Sequence, residues 1–424
     1  MSFLGEYDGI AATDPQGQVA VAFRWLRSNW REMYQELRQN RPIFKTPAFT
    51  FVSRWGDVIE VLSQNELFSV RGYRDKMDPA IGPHMLARDG TSINWQDKSV
   101  MRSVLPWDDL GEVRSLAGDI ARESLKAQRG RVEVVSALSR LVPLRIVQRY
   151  FGFPGPTGAH GNPDATDATM LAWSKATQWD IFHNPTNDAT VHAKSVEAGE
   201  AMRAYVWTLL DSKRRNLDVF KDPVSRVVRL VGGGDSGMGL DRAVTNVCGL
   251  LVGAIETTAA AITQAAEQIL LRPDVLARAI ALAQSDSLGP FADIVWEALR
   301  FNPVATLVFR YCERDTIIAG GTSYATPVTK GTVLAAGIGS AMFDETAYPN
   351  PSDFQPGRPF DNYLHFGMGY HECLGKYVAM KMIPEAIRQL MLLPGLQLLP
   401  GDEGKIDFQN GAFPETFYVQ IQST

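Results

Sequence analysis

The chain is poor in cysteine. Only Cys248, Cys312 and Cys373 occur, far apart and odd in number, so no disulfide framework is encoded. No C-x-x-C pair occurs either, which removes the usual zinc and dithiol motifs. Three separate thiols imply a reducing compartment, and packing is the ordinary use of a buried free cysteine. An excess of one charge is also missing, because 42 Lys+Arg against 47 Asp+Glu leave a net charge of −5. No basic surplus marks a nucleic-acid binder, and no acidic tail marks a disordered segment. Long apolar runs are absent as well. The most apolar stretch, Val247 to Ile262, is broken by Glu256, Thr257 and Thr258, short of the roughly 18 uninterrupted residues of a membrane span. Residues 1–20 show no basic segment followed by an apolar one. The expectation is a soluble cytoplasmic protein with no nucleic-acid partner and no membrane span.

What is present is an ordinary globular balance, 424 residues with 45% hydrophobic and 21% charged. The length suggests two or three domains as a prior, but a single large core is within reach of such a chain. Helical spacing of apolar residues runs through 19–40, 55–63, 113–128, 132–151 and 192–216, with a strand-like segment at 49–52. A polar stretch punctuated by Gly and Pro covers 70–90, and Gly152–Asp167, with three prolines and four glycines, reads as a loop. After the glycine run at 232–239, one long helix is expected from Asp241 to about Leu271, ended by Arg272-Pro273. Residues 304–333 read as a small sheet, 342–375 as irregular, and the C-terminus as a helix from about Leu374 and a short strand pair. Without repeats, low-complexity tracts or linker-like breaks, the pattern predicts one mainly α domain over 1–424 with a small β region.

Chemistry concentrates at Phe366-Gly-Met-Gly-Tyr-His-Glu-Cys-Leu-Gly375. Glycines permit a tight turn and close approach of backbone to a flat ligand. A cysteine just before a helix sees exposed amides and the positive dipole end, which favour thiolate. Such a thiolate suits an axial position on haem iron. For the G-x-G alone, a glycine-rich turn around a buried cysteine is the better reading. Two further features weigh against that. Glu297 and Arg300, at i and i+3, place a carboxylate and a guanidinium on one helix face, although surface pairs of this kind are common. Gly253-Ala-Ile-Glu-Thr-Thr258 puts an acid and hydroxyls in the middle of an apolar helix, costly unless they are partnered or used. A threonine there can bond a carbonyl one turn back and open the ladder.

Together these features resemble the cytochrome P450 superfamily over nearly the whole chain, with the family's cysteine loop F-G-x-G-x-H-x-C-L-G matched at each fixed position. The resemblance implies a P450 fold around haem b. Cys373 is then the proximal ligand to iron, Phe366 and Gly367 line the cofactor, and His371 is a propionate partner. Glu297 and Arg300 match the E-x-x-R motif, and Arg358 in Asp353-Phe-Gln-Pro-Gly-Arg358 completes the triad. Arg310 stands at a second propionate position. Arg102 fits a third, with Lys98 where the family often has histidine, so that the cation remains but its hydrogen bond is less directional. On the distal side Glu256 and Thr257 match the pair that relays protons and faces dioxygen. Ala254 replaces the usual glycine, so a tighter groove or a shifted helix bulge is expected. By position, Val304, Ala305, Thr306, Leu307, Gly249, Gly253 and Phe413 line an apolar substrate pocket, with Trp179 and Phe182 in its roof.

Weaker signals read otherwise. Gly234-Asp-Ser236 begins a GDS-type hydrolase motif without its later D-x-x-H partner, and His365, His371 and Cys373 lack a fourth zinc ligand. Lys213-Arg-Arg215 reads as a solvated helix end, and Arg71, Arg74 and Lys76 as exposed loop charges. Lys376 and Arg388 are candidates for an electron-donor docking face. The resemblance implies a monooxygenase that inserts one oxygen atom of O2 into an apolar small molecule, with electrons from a ferredoxin or flavodoxin and its reductase. A peroxygenase or isomerase of the same fold, and a non-catalytic haem-binding sensor, are the alternatives.

Overall fold

The computed structural model describes residues 2–156, 163–216, 221–234 and 236–423. The middle of the Gly152–Asp167 loop, and Asp235 of the Gly234-Asp-Ser236 segment, lie outside the described residues. By internal contacts the chain divides into two compact units, one of Met1–Gly72 with Pro303–Cys373, the other of Tyr73–Asn302 with Leu374–Thr424.

The first unit is built on a five-stranded sheet. Its order is Ile43–Lys45, Thr50–Val52, Val333–Ala336, Val308–Cys312 and Phe68–Ser69. Every pairing is antiparallel except that of Thr50–Val52 with Val333–Ala336, where Phe51 stands opposite Ala335. Thr50, Phe51 and Val52 are all buried, as expected for an inner strand covered on both faces. The helix Trp30–Asn40 turns Met33, Tyr34 and Leu37 inward at helical spacing. They meet Trp25, Phe44, Phe49 and Phe51 in an aromatic core. A separate hairpin pairs Thr316–Ile318 with Thr326–Val328.

The second unit is mainly helical. The long helix of the sequence reading is two, Leu240–Ala254 and Glu256–Leu270, interrupted at Ile255 with φ −90 and ψ −69. The stretch Leu240–Leu270 is long and apolar enough to cross a membrane by length and composition, yet 78% of its apolar window is buried inside the protein. It is a core helix, largely apolar because it is largely covered. Helix Lys376–Met391 packs on Leu110–Lys126, and Leu288–Phe301 on Glu256–Leu270. Tyr418–Gln420 pairs with both Arg131–Glu133 and Gln397–Leu398, so the short strand pair expected near the end is part of a three-stranded sheet.

Two local expectations are corrected. The Gly152–Asp167 loop ends earlier, because a helix runs from Pro163 to His183, and proline is tolerated in a first turn, where no N–H is needed. The 70–90 stretch contains a helix, Arg74–Ile81, despite Pro79 inside it. Its buried Met77, Ala80 and Ile81 share one face, and a Cβ at Gly199 of helix Ala189–Arg214 would overlap the Ala80 carbonyl. Tertiary packing against a bare glycine outweighs weak local propensity.

Candidate active site

In the first unit the residues 366–373 form a closed loop. The Gly367 N–H donates to the Leu364 carbonyl at 3.0 Å, Glu372 to Gly369 at 3.1 Å, and Cys373 to Phe366 at 2.8 Å. Gly367 and Gly369 have φ of +68 and +72, the left-handed region that disfavours side chains. Gly369 is doubly constrained, since a Cβ there would lie 2.9 Å from the Leu62 carbonyl oxygen. The loop leaves Cys373 exposed, while Cys248 and Cys312 are buried. Burial pushes the Cys248 thiol up to about 12. The Cys312 thiol is raised too, chiefly by burial, and it donates to the Arg314 carbonyl at 2.9 Å.

The same unit holds Arg310, Arg358 and residues 304–307. Arg310 is buried on the strand Val308–Cys312 and donates to the Phe309 carbonyl at 2.8 Å. Arg358 donates to the carbonyls of Pro349 and Asn350 at 3.1 and 3.2 Å and lies over the Tyr348 ring. Val304, Ala305, Thr306 and Leu307 are half-buried. Leu307 packs on the aromatic core, and the Thr306 carbonyl accepts from Gly339 at 2.9 Å. His371 is half-buried and its ring meets Tyr370 edge-on.

The second unit carries the acid and hydroxyl. Thr257 Oγ1 donates to the Gly253 carbonyl at 2.5 Å, one turn back, and the helix breaks between them at Ile255. This is the ladder opening that a mid-helix threonine can make. Gly253 is exposed, and a Cβ there would meet nothing within 4 Å, so this helix face is open. Glu256 points elsewhere. Its side chain is 1% exposed, and Arg140 grips it, Nε lying 3.2 Å from each carboxylate oxygen and Nη2 3.1 Å from Oε2. Arg140 also binds Glu415 with both terminal nitrogens, at 3.1 and 3.2 Å. Lys175 also binds Glu415, at 2.6 Å. Side-chain exposure climbs along this chain of charges from 1% at Glu256, through 16% at Arg140 and 15% at Glu415, to 36% at Lys175. Burial raises the Glu256 carboxyl against the pull of Arg140. Burial also works against the charge on Glu415, but hydrogen bonds from Arg140 and Lys175 hold it below its ordinary value.

Glu297 and Arg300 form a two-point pair, Nε to Oε2 at 3.0 Å and Nη2 to Oε1 at 2.7 Å, with neither side chain exposed. They are a core element, not the surface pair that such spacing more often gives. Lys98 is buried and Arg102 exposed one turn later on helix Ser92–Ser103. Phe413 is buried with its ring edge-on to His183, and Trp179 approaches Gly411.

Several weaker readings change. Lys213 is buried and paired with Asp222 at 2.7 Å, so it anchors a helix end and is not part of a solvated face. Arg74 and Lys76 lie on helix Arg74–Ile81, not in a loop, and Lys76 donates to the Asn184 carbonyl. Arg71 pairs with Glu313 at 2.8 Å. Arg388 is bound to Glu385 and to the Ala283 carbonyl with only 12% exposure, which removes it from a docking face. Ser236 Oγ accepts from Met238 N–H at 3.3 Å. Arg140 and Glu415 were not picked out by sequence, although a lone cation in the apolar run Ala137–Leu144 is a signal of a buried partner.

A family model described as "Cytochrome P450" matches residues 165–409, more than half of the chain. The mycinamicin IV hydroxylase/epoxidase of Micromonospora griseorubida is 26% identical over 381 residues, 86% of this chain and 88% of that protein. The nocardicin C N-oxygenase of Nocardia uniformis subsp. tsuyamanensis is 26% identical over 359 residues, 82% of each. Among solved structures, cytochrome P450 CYP109Q5 from Chondromyces apiculatus superposes with a TM-score of 0.76 at 21% identity, covering 95% of this chain and 97% of that one. The chain belongs to the cytochrome P450 family. Its activity is that of a haem–thiolate monooxygenase, an oxidoreductase with haem b as cofactor, acting on small molecules with electrons from a redox partner.

The donor set fits that cofactor. Among the described residues no three His, Cys, Asp or Glu side chains gather as a bare metal ion needs. One exposed thiol on a glycine-bent loop suits instead a metal that brings its own equatorial nitrogens.

Proposed function

We propose that Cys373 supplies the thiolate to the haem iron, with Phe366 and Gly367 against the macrocycle, Lys98, Arg102 and Arg310 as the cations for its propionates, and His371 as a further propionate partner. The observation that carries this is the single exposed thiol, Cys373, on the loop bent by Gly367 and Gly369. When bound, haem supplies the iron at which dioxygen is reduced and one of its atoms becomes transferable. The chain's own contribution is proton management. Glu256 takes protons at a raised affinity in a buried position, and Arg140 holds it away from Thr257 at rest. Releasing the Arg140 grip frees the carboxyl to carry a proton, which Glu415 and Lys175 pass inward from the more exposed end of the cluster. Thr257, by giving up its bond to the Gly253 carbonyl, turns its hydroxyl toward the open helix face. Glu297, Arg300 and Arg358 act as the structural triad.

The whole chain, 1–424, is read as one P450 domain, soluble and cytoplasmic. Its substrate is an apolar organic molecule lying along Gly249, Gly253, 304–307 and Phe413. The relatives named for mycinamicin IV and for nocardicin C support a small organic molecule as substrate. A ferredoxin or flavodoxin with its reductase supplies the electrons. Trp107, 65% exposed, meets the exposed Tyr377 with ring centres 4.2 Å apart and planes tilted by 42°, and Lys376 lies over the Tyr377 ring. In the chain Lys376 and Tyr377 of this patch follow Cys373 by three and four residues, and the patch suits an acidic partner. The test is the carbon monoxide complex of the reduced protein. A strongly red-shifted Soret band is expected in the wild type and lost in Cys373→Ala; its persistence in the variant would overturn the assignment.

A further inference from the structure

Glu133 ends the strand Arg131–Glu133, and its half-buried carboxylate is given over to backbone amides. Oε1 accepts the Val135 N–H and the Phe417 N–H, each at 3.0 Å, and Oε2 accepts the Ser136 N–H at 2.7 Å. Two segments far apart in the chain therefore converge on one side chain. Hydrogen bonds to an ionised acceptor are roughly twice as strong as neutral ones, so this is a firm junction.

Each segment leads within a few residues to one member of the buried charge cluster. Val135–Ser139 is a π-helical turn, closed by the Arg140 N–H, which donates to the Val135 carbonyl at 2.8 Å. Fixing the Val135 N–H at the start of that turn fixes where Arg140 stands at its end. Such wide single turns are rare and recur at functional sites. On the other segment Phe417 follows Glu415 by two residues. Its carbonyl accepts the Val134 N–H at 2.8 Å, and the Glu415 N–H donates to the Asp407 carbonyl at 2.8 Å.

A second anchor lies at the far end of the turn. Ser139 and Thr263, neither of them exposed, share a hydrogen bond between hydroxyls at 2.8 Å. Thr263 stands seven residues, two turns, after Glu256 on the helix Glu256–Leu270. The π turn is thus tied at its start to the segment that carries Glu415, and at its end to the helix that begins with Glu256. Arg140 is the next residue and bridges the two carboxylates.

We propose that Glu133 is a positioning residue for proton delivery: by gathering the amides of Val135, Ser136 and Phe417 it holds the Arg140 guanidinium across Glu256 and Glu415. This rests on the reading of Glu256 as the proton carrier and adds what sets the strength of the grip on it. Glu133 acts through Arg140, with Ser139 and Thr263 as the second fastening.

Glu133→Ala, Glu133→Gln and Ser139→Ala are compared with Val132→Ala in the holoenzyme. Val132 is fully buried on the same strand and paired with Val419, so its truncation loosens the sheet without touching the carboxylate. The readout is the infrared band of the protonated Glu256 carboxyl, assigned by its absence from Glu256→Gln and titrated with pH. Arg140 is the charge that bonds this carboxyl, with Glu415 and Lys175 beyond it. In Glu133→Ala the grip of Arg140 slackens, and losing a nearby positive charge shifts the titration to higher pH. Glu133→Gln keeps one acceptor oxygen and shifts it less, Ser139→Ala shifts it the same way, and Val132→Ala leaves it in place. A band that titrates as in the wild type in both Glu133 variants overturns the proposal, as does an equal shift in Val132→Ala. Wild-type product formation by Glu256→Gln would overturn the proton-carrier reading instead. That failure shows separately, because the infrared titration reports the placing of Arg140 whatever the activity.

Discussion

Replacing Arg140 by Gln removes the counter-charge from a carboxylate whose side chain is 1% exposed and weakens the hold on Glu415. Breaking a buried pair from one side costs about 3–5 kcal/mol, since the remaining charge has no solvent to turn to. Lys175 still holds Glu415, which places the expected loss near the lower figure, about 3 kcal/mol. At about 2.1 cal/mol/K of unfolding entropy per residue, 424 residues give ~0.9 kcal/mol/K and hence a fall in melting midpoint of about 3 °C. The pH dependence has a definite sign. Glu256 has a raised folded pKa, and losing Arg140 raises it further, so the charged form is penalised at high pH and nothing is lost once the group is protonated. Glu415 has a lowered folded pKa, so the stability it gains from Arg140 exists above its unfolded value and disappears on acidification. Both contributions make the variant's deficit largest near about pH 8 and smallest below about pH 5. Differential scanning calorimetry of wild type and variant across that range is the assay. The second readout is coupling: Glu256→Gln alone lowers product formation about a hundredfold by removing a positioned proton carrier, while Arg140→Gln on top of it costs little more stability. A deficit that grows on acidification, or strictly additive losses in the double variant, would refute the idea that Arg140 holds a charged Glu256.

Gly369→Ala and Gly367→Ala separate two reasons for glycine in the cysteine loop. Both residues have positive φ and incur about 1–2 kcal/mol from a side chain. Only Gly369 also meets the Leu62 carbonyl, so its variant is expected to retain markedly less haem per chain, measured by pyridine haemochrome against protein. Trp107→Ala should slow reduction of the iron by a ferredoxin several-fold in stopped flow while leaving the substrate-induced spin shift unchanged. An unchanged reduction rate would remove the Trp107–Tyr377 pair from the docking face.

What could be read from the chain, and what could not, follows sequence distance and the reach of each interaction. Glu297 and Arg300 are three apart on one helix, so their pairing is set by local geometry, and the cysteine loop is legible because positive φ demands glycine at fixed offsets. The burial of that same pair was not legible, because i, i+3 spacing is identical on a solvated face. Glu256 is the sharper case. Its place in an apolar helix announced a partner, but that partner, Arg140, is 116 residues away, and the next, Glu415, is 275 residues from Arg140. Neither spacing carries a periodic signal. The break at Ile255 follows similar logic: the threonine that opens the ladder is visible, but the residue where the helix parts is decided by which carbonyl its hydroxyl reaches. Functional groups of this kind, defined by what lies opposite them, are the part of a site that only the fold assembles.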